Sequence, residues 1–324
     1  MYPNNYRRYA KMKKRMAIKN ALFFILLFVL GSAVAFLFIQ KSHSNDDTNN
    51  SLEDLDTEHM YDNSDDVLDI VVTDRNLQAL YVDITKVNDK TYADEILLMA
   101  SENEINSFVV TMKNADGSFN YQSEIPYNNL LVSENNVTDF ITRATDWGIT
   151  LIAEIYVYSD DNHASLYETS AFENTDGSNW LDYNESAWIN PYSDDGFNYI
   201  TAIIDELTSL GFSEIILSDF HFPVFGDFMS IVYGSEVSKT DILAERLKTL
   251  SENYKISLNL SQFAFTDNHV VSGEDVEKLA KNVFSVFVNV TSDTTYNNYK
   301  YLNVENKVIF TTIDEYLVDN FIRQ

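Results

Sequence analysis

From about residue 67 onward the hydrophobic pattern alternates between two periods. Short runs that are almost continuously apolar, β-branched or aromatic recur at 80–84, 108–112, 150–158, 214–220, 256–263, 284–290 and 308–312. Such runs suit strands covered on both faces, as in a parallel sheet. Between them apolar residues fall at helical spacing: 92–102; 137–147 with Phe140, Ile141 and Ala144 on one face; 197–210 with Ile200, Ile203, Ile204 and Leu207; 242–250; and 276–282, led by a Ser272-x-x-Asp275 capping pattern. Seven strand–helix repeats predict an α/β fold of the (β/α)8 TIM-barrel type. An open doubly wound sheet is disfavoured because no Gly-rich phosphate loop follows an early strand. No eighth strand is evident. The barrel is therefore incomplete or irregular toward its C terminus, or residues 68–72 close it.

The first part of the chain follows a different pattern. Residues 1–20 form a basic arm with Arg7, Arg8, Lys11, Lys13, Lys14, Arg15 and Lys19 and no acid. The run 21–39 then has no charged residue, enough for about 28 Å of helix, the thickness of a bilayer core. We read 21–40 as a transmembrane helix with the basic arm cytoplasmic and everything after it extracellular. A cleaved signal peptide is the competing reading, offered by Ala33-Val34-Ala35. Against it, the apolar run continues past that site through Phe36, Leu37, Phe38 and Ile39. Residues 41–66 are acidic and polar and read as a disordered tether. The expected folded domain spans 67–324.

Charge and composition narrow the chemistry. The 324 residues carry 22 Lys+Arg against 50 Asp+Glu, a net charge of −28, which disfavours a nucleic-acid partner. The absence of cysteine removes disulfides, thiol nucleophiles, iron–sulfur clusters, zinc ribbons and lipoprotein anchoring. No calcium loop, G-x-S-x-G elbow, Walker or dinucleotide motif occurs, so no metal or cofactor is expected. His43 and His59 fall in the tether, and His163 and His269 in expected loops.

Active sites of such barrels lie at the C-terminal strand ends. Carboxylates there are Asp83, Asp116, Glu154, Asp160, Asp161, Asp219, Asp314 and Glu315, and nearby aromatics include Tyr156, Tyr158, Trp188, Tyr192 and Phe222. Glycoside hydrolysis needs two carboxyl groups, one protonated and one ionised, which sequence cannot place in space.

Several strings resemble a bacterial family of glycoside-hydrolase-like domains of unknown function, distantly similar to amylase-type barrels. They are Asn106-Ser-Phe-Val-Val-Thr-Met-Lys-Asn-Ala-Asp-Gly117, Gly148-Ile-Thr-Leu-Ile-Ala153, Trp188-Ile-Asn-Pro-Tyr-Ser193, Leu210-Gly-Phe-Ser-Glu-Ile215 and Phe220-His-Phe-Pro223. The likeness runs from about Leu80 to Pro223. Lys113, Asp116, Gly117, Trp188, Pro191 and Tyr192 fit the family pattern. Thr111, Asn114 and Ser218 stand where the family carries acids, and Glu154 and His221 where it carries arginines. The resemblance implies a barrel that acts on or binds cell-wall or extracellular polysaccharide. If the barrel is catalytic, its carboxylate pair is rebuilt at the strand ends, and we expect Asp219 and Glu154 as catalytic residues, with Lys113, Asp116, Tyr156, Trp188, Tyr192 and His221 as substrate-binding residues. The departures leave a second account open, a catalytically degenerate barrel serving as a binding or scaffold module.

Overall fold

The computed structural model describes residues 77–125, 135–261, 264, 269–289 and, for the backbone, 308–311. The strands are β1 (Ala79–Tyr81), β2 (Ser107–Lys113), β3 (Thr150–Tyr156), β4 (Glu173–Asn174), β5 (Glu214–Ser218), β6 (Ile231–Val232), β7 (Ile256–Leu260), β8 (Val286–Asn289) and β9 (Val308–Thr311). Seven of them form one sheet in the order β1-β2-β3-β5-β7-β8-β9, every pairing parallel. A sheet ordered as the chain runs has the topology of a barrel, without the reversal of order of a doubly wound sheet. Among the described residues β1 and β9 each have one neighbour in it, so the strands make a parallel half-barrel. The candidate closing strand at 68–72, like the arm, span and tether, lies outside the described residues. Among the described residues no helix is long and apolar enough to cross a membrane.

Helices α1 (Lys90–Glu102), α2 (Thr138–Asp146), α3 (Asp161–Leu166), α4 (Asp194–Leu210), α5 (Lys239–Ser251), α6 (His269–Ser272) and α7 (Val276–Ala280) occupy the connections. Their ends are set by side chains that satisfy free backbone donors. Asp89 accepts from the Thr91 N–H, Ser193 from Gly196 and Ser238 from Asp241. Gly211, at φ 108°, ends α4 in the left-handed conformation. Helix α7 starts at Val276, as expected, but its cap is Asp275, which accepts from the Lys278 N–H, rather than Ser272. His163 lies within α3 and His269 opens α6, where loops were expected.

Alternation along the strands separates two cores. One face packs on the helices through residues such as Phe108, Val110, Leu151, Ala153, Ile155, Ile215 and Leu217. The other face is lined by a small separate cluster, Leu77, Ala79, Val109, Ile152, Ile216 and Phe287, which fills the concave side. Two residues further along β2, β3 and β5 the same face turns polar, with Thr111, Glu154 and Ser218, and Asn259 of β7 joins them. Toward the other strand ends the apolar cluster is bordered by buried Glu214, which accepts from Ser257 of β7 at 2.6 Å.

Candidate active site

Glu154 lies at the centre of that polar layer. Its Oε2 accepts from Thr111 Oγ1 at 2.9 Å, and its Oε1 accepts from Ser218 Oγ at 2.7 Å and Asn259 Nδ2 at 3.3 Å. Asn259 Nδ2 also reaches Ser218 Oγ at 3.0 Å, which links β2, β3, β5 and β7 through one carboxylate. Glu154 is buried. Three of the positions at which the chain departs from the family pattern, Thr111, Glu154 and Ser218, are therefore partners in space. One carboxylate between two hydroxyls is a self-consistent replacement, since each hydroxyl can donate to it.

Asp219 occupies a different place. The expected strand 214–220 stops at Ser218 because Asp219 has φ 49°, a left-handed conformation uncommon outside glycine. Strict alternation would send its side chain to the helix-covered face. The turn instead brings it to Ser159 Oγ, which donates at 2.5 Å, and to His221 Nε2 at 3.6 Å. Its side chain keeps 30% of its surface open. Burial works against the charge on Asp219, but the imidazole of His221, the Ser159 hydroxyl and the charge of Lys113 outweigh it and hold the carboxyl below its ordinary range.

Tyr156, the last residue of β3, is half-buried on the concave side, where it pairs in register with Ser218. Burial, then the carboxylates of Glu154 and Asp219, push its phenol up to about 12. It stays a neutral donor at neutral pH, in the field of both acids.

Lys113 is turned elsewhere. A bulge shifts the β2–β3 register so that Thr111 pairs with Glu154 but Lys113 pairs with Ile155, whose side chain lies in the helix-covered core. The ammonium is 1% exposed and meets Asp160 Oδ2 at 2.9 Å and the Tyr156 carbonyl at 2.5 Å. Asp160 in turn caps α3 through the His163 N–H and accepts from Tyr199 Oη at 3.0 Å. Asp116 is exposed and holds its own turn through Ser118. Trp188 is buried, its indole N–H donating to Asp182 at 3.1 Å. Tyr192 packs on Phe222, and its hydroxyl donates to the Val237 carbonyl.

The structure therefore brings Glu154, Tyr156 and Asp219 together at the strand ends, with His221 behind Asp219 and the Trp188 ring 5.7 Å from the imidazole. Lys113 stands in the adjoining network of buried charge, Tyr192 in the aromatic cluster around Phe222, and Asp116 on the surface turn after β2. Sequence reasoning missed Asn259 and Glu274. Asn259 reads as one more polar residue in an apolar run. Glu274 sits in a turn, and its hydrogen bonds to Ser261 have no signature in the chain. Asp314 and Glu315 lie outside the described residues, and among those described no group of three or more His, Asp or Glu could hold a metal ion.

No curated protein matches the chain. Among solved structures, a hypothetical protein from Ruminiclostridium thermocellum ATCC 27405 is similar with a TM-score of 0.50 and 26% identity, over 55% of this chain and 96% of that one. A GH20 exo-β-N-acetylglucosaminidase from Vibrio harveyi, solved with N-acetylglucosamine, gives a TM-score of 0.45 at 11% identity over 73% of this chain and 40% of that one. Aspergillus fumigatus Ega3, solved with galactosamine, gives 0.41 at 11% identity over 65% and 71%. Residues 79–304, well over half of the chain, match the family described as "Putative glycosyl hydrolase domain" (DUF4015), and the chain belongs to that family.

Proposed function

We propose that the C-terminal mouth of the half-barrel is a carbohydrate site in which Asp219 is the ionised carboxylate that meets the sugar. The observation that carries this reading is the setting of Asp219: out of strand alternation at φ 49°, partly open, and fixed by Ser159 and His221. A residue held in an unfavourable backbone conformation at the end of a parallel strand is where such folds keep reacting groups. In a glycoside hydrolase, an ionised carboxylate supplies the nucleophile, or stabilises the oxocarbenium-like transition state. Tyr156 offers its phenol as a donor to a sugar hydroxyl, and Glu154 holds the floor of the site through Thr111, Ser218 and Asn259. His221 and Lys113 act behind Asp219, by charge.

A second reading, binding without turnover, is favoured by one observation. Glu154 is closed to solvent with both oxygens engaged by side-chain donors, so it is poorly placed to hand a proton to a leaving group. The uncharged run 21–39 and the basic arm before it support a membrane-anchored, extracytoplasmic location, and with it a wall or extracellular polysaccharide as ligand.

Retardation of the full-length chain in gels containing different wall and extracellular polysaccharides tests the common part of both readings. Retardation by one polymer, abolished in Asp219→Asn and weakened in Tyr156→Phe, is the expected outcome. Retardation by none, or retention equal in both variants, removes the site from the account.

A further inference from the structure

The segments that follow the C-terminal strand ends carry charge of one sign. Residues 114–137, 157–193, 219–238 and 261–275, which follow β2, β3, β5 and β7, hold 16 Asp or Glu and no Lys or Arg. After β1, Lys86 is matched by Asp83 at 2.9 Å. Basic side chains stand instead on the helices, as Lys90, Arg143, Lys248 and Lys278, or ahead of a strand, as Lys255 and Lys281. Lys239, the first basic residue after β5, is turned inward, its ammonium donating to the Val271 carbonyl at 2.9 Å and lying 5.0 Å from the Tyr233 ring.

Within this acidic rim the site presents an open carboxylate. Asp219 keeps 30% of its side chain exposed, while Lys113 and His221, which act on it, are both buried, and Lys113 is paired with Asp160 at 2.9 Å. Two tyrosine rings share the concave face: Tyr156, and Tyr81, which is 38% exposed and lies two residues beyond Ala79 of the concave cluster. Such rings attract a cation to their faces. A cleft lined by one sign of charge concentrates ligands of the opposite sign and repels those of its own. A uronic or phosphate polymer would bring like charge to this mouth, and an uncharged polymer gains nothing from the field. A polymer of amino sugars brings ammonium groups, to which a carboxylate offers charge-assisted hydrogen bonds.

We propose that the ligand of this site is a cationic polysaccharide, built of amino sugars with free amines, and that Asp219 accepts from one of its ammonium groups. The inference rests on the reading of the mouth as a carbohydrate site and narrows it to one class. In a 2-amino sugar the amine adjoins the anomeric carbon, so one carboxylate can serve both the binding of the ammonium and the reaction beside it. Exposed carboxylates of the surrounding segments, Asp116, Glu168, Glu185 and Asp227 among them, draw in the rest of the chain.

The test is calorimetric titration of the full-length chain with four probes: hexamers of glucosamine, N-acetylglucosamine and galacturonic acid, and hexalysine. The glucosamine hexamer should bind about tenfold or more tightly than each of the others and should weaken as salt is raised. Asp219→Asn should weaken it by about tenfold or more, although the net charge of −28 changes by only one. Equal or tighter binding of the N-acetylated or uronic hexamer overturns the proposal, and leaves the carbohydrate site standing if Asp219→Asn weakens that binding. Hexalysine bound as tightly as the glucosamine hexamer, or glucosamine binding unchanged in a folded Asp219→Asn chain, shows attraction to an acidic surface alone and overturns it too. Binding of no probe also overturns it, and gel retardation then decides the broader reading separately. The ranking of the probes uses the unmodified chain, so it decides even where the variant does not fold.

Discussion

Gly117 offers a stability prediction with an internal control. It has φ 86°, and a β-carbon added to it would lie 1.9 Å from Asp160 Oδ1 and 2.7 Å from Asp160 Cγ. Gly148 has φ 77° and nothing within 4 Å of the same position. Alanine at either site carries the left-handed penalty of about 1–2 kcal/mol, and the change in unfolded-chain entropy is common to both. Only at Gly117 must a buried carboxylate also move. That carboxylate holds the Lys113 ammonium, the Tyr199 hydroxyl and the first turn of α3, and both members of the ion pair are fully enclosed. Loosening a buried pair costs about 3–5 kcal/mol when one charge is left uncompensated. Gly117→Ala should therefore be less stable than Gly148→Ala by about 3 kcal/mol. In urea, with slopes of about 1–3 kcal/mol per molar, this is a difference of roughly 1 M or more between midpoints. Equal midpoints at equal slopes would show that the Lys113–Asp160 pair does not anchor this end of the sheet, and would refute the reasoning.

Other expectations concern titration and the polar floor. His163, buried against Tyr199 and Tyr167, is lowered by burial to about 4, so its contribution to stability is full above about 6.5 and is lost as pH falls toward 4. His221 is raised to about 9, so its contribution is full below about 6.5 and is lost as pH rises through 9. Each contribution is of order 3 kcal/mol, because a tenfold change in proton affinity on folding is worth about 1.4 kcal/mol. Melting temperature should accordingly decline on both sides of about pH 6.5, and His221→Asn should flatten the alkaline side; a profile level from pH 6.5 to 9 would contradict the charged imidazole. Glu154→Ala leaves the Thr111 and Ser218 hydroxyls without their acceptor and should cost about 1–3 kcal/mol in denaturant unfolding. Thr111→Val, which removes one donor of the same network, should cost about 1 kcal/mol, and the two changes together should cost less than their sum.

The frame of the half-barrel was legible in the sequence because buried parallel strands and amphipathic helices leave strong periodic signals. All seven expected strands and all five expected helices occur, with ends displaced by a few residues. The pair β4–β6 was not legible, since two-residue strands carry no period and their pairing joins distant loops. Helix α3 was missed for a similar reason, being one short segment started by the Asp160 cap. Side-chain direction was the larger gap. Lys113 looked like a mouth residue, but one extra residue in β2 turns it into the helix-covered layer. Asp219 looked misplaced by one position, and a single positive φ removes it from the alternation altogether. Neither bulges nor isolated left-handed residues have a reliable signature in one sequence. The grouping of Thr111, Glu154 and Ser218 was foreshadowed as three separate departures from a family pattern, and only the strand register shows that they are one network.

The claim that Asp219 is the working carboxylate of a glycoside-cleaving site is tested most directly by release of new reducing ends. The full-length chain would be incubated with the polysaccharide that retards it, beside Asp219→Asn, a substitution that preserves shape and suits the same left-handed backbone. Hydrolysis predicts release by the unmodified chain and a fall of several orders of magnitude in the folded variant. Equal release from both would contradict the role of Asp219, and binding with no release from either would make this half-barrel a carbohydrate-binding module.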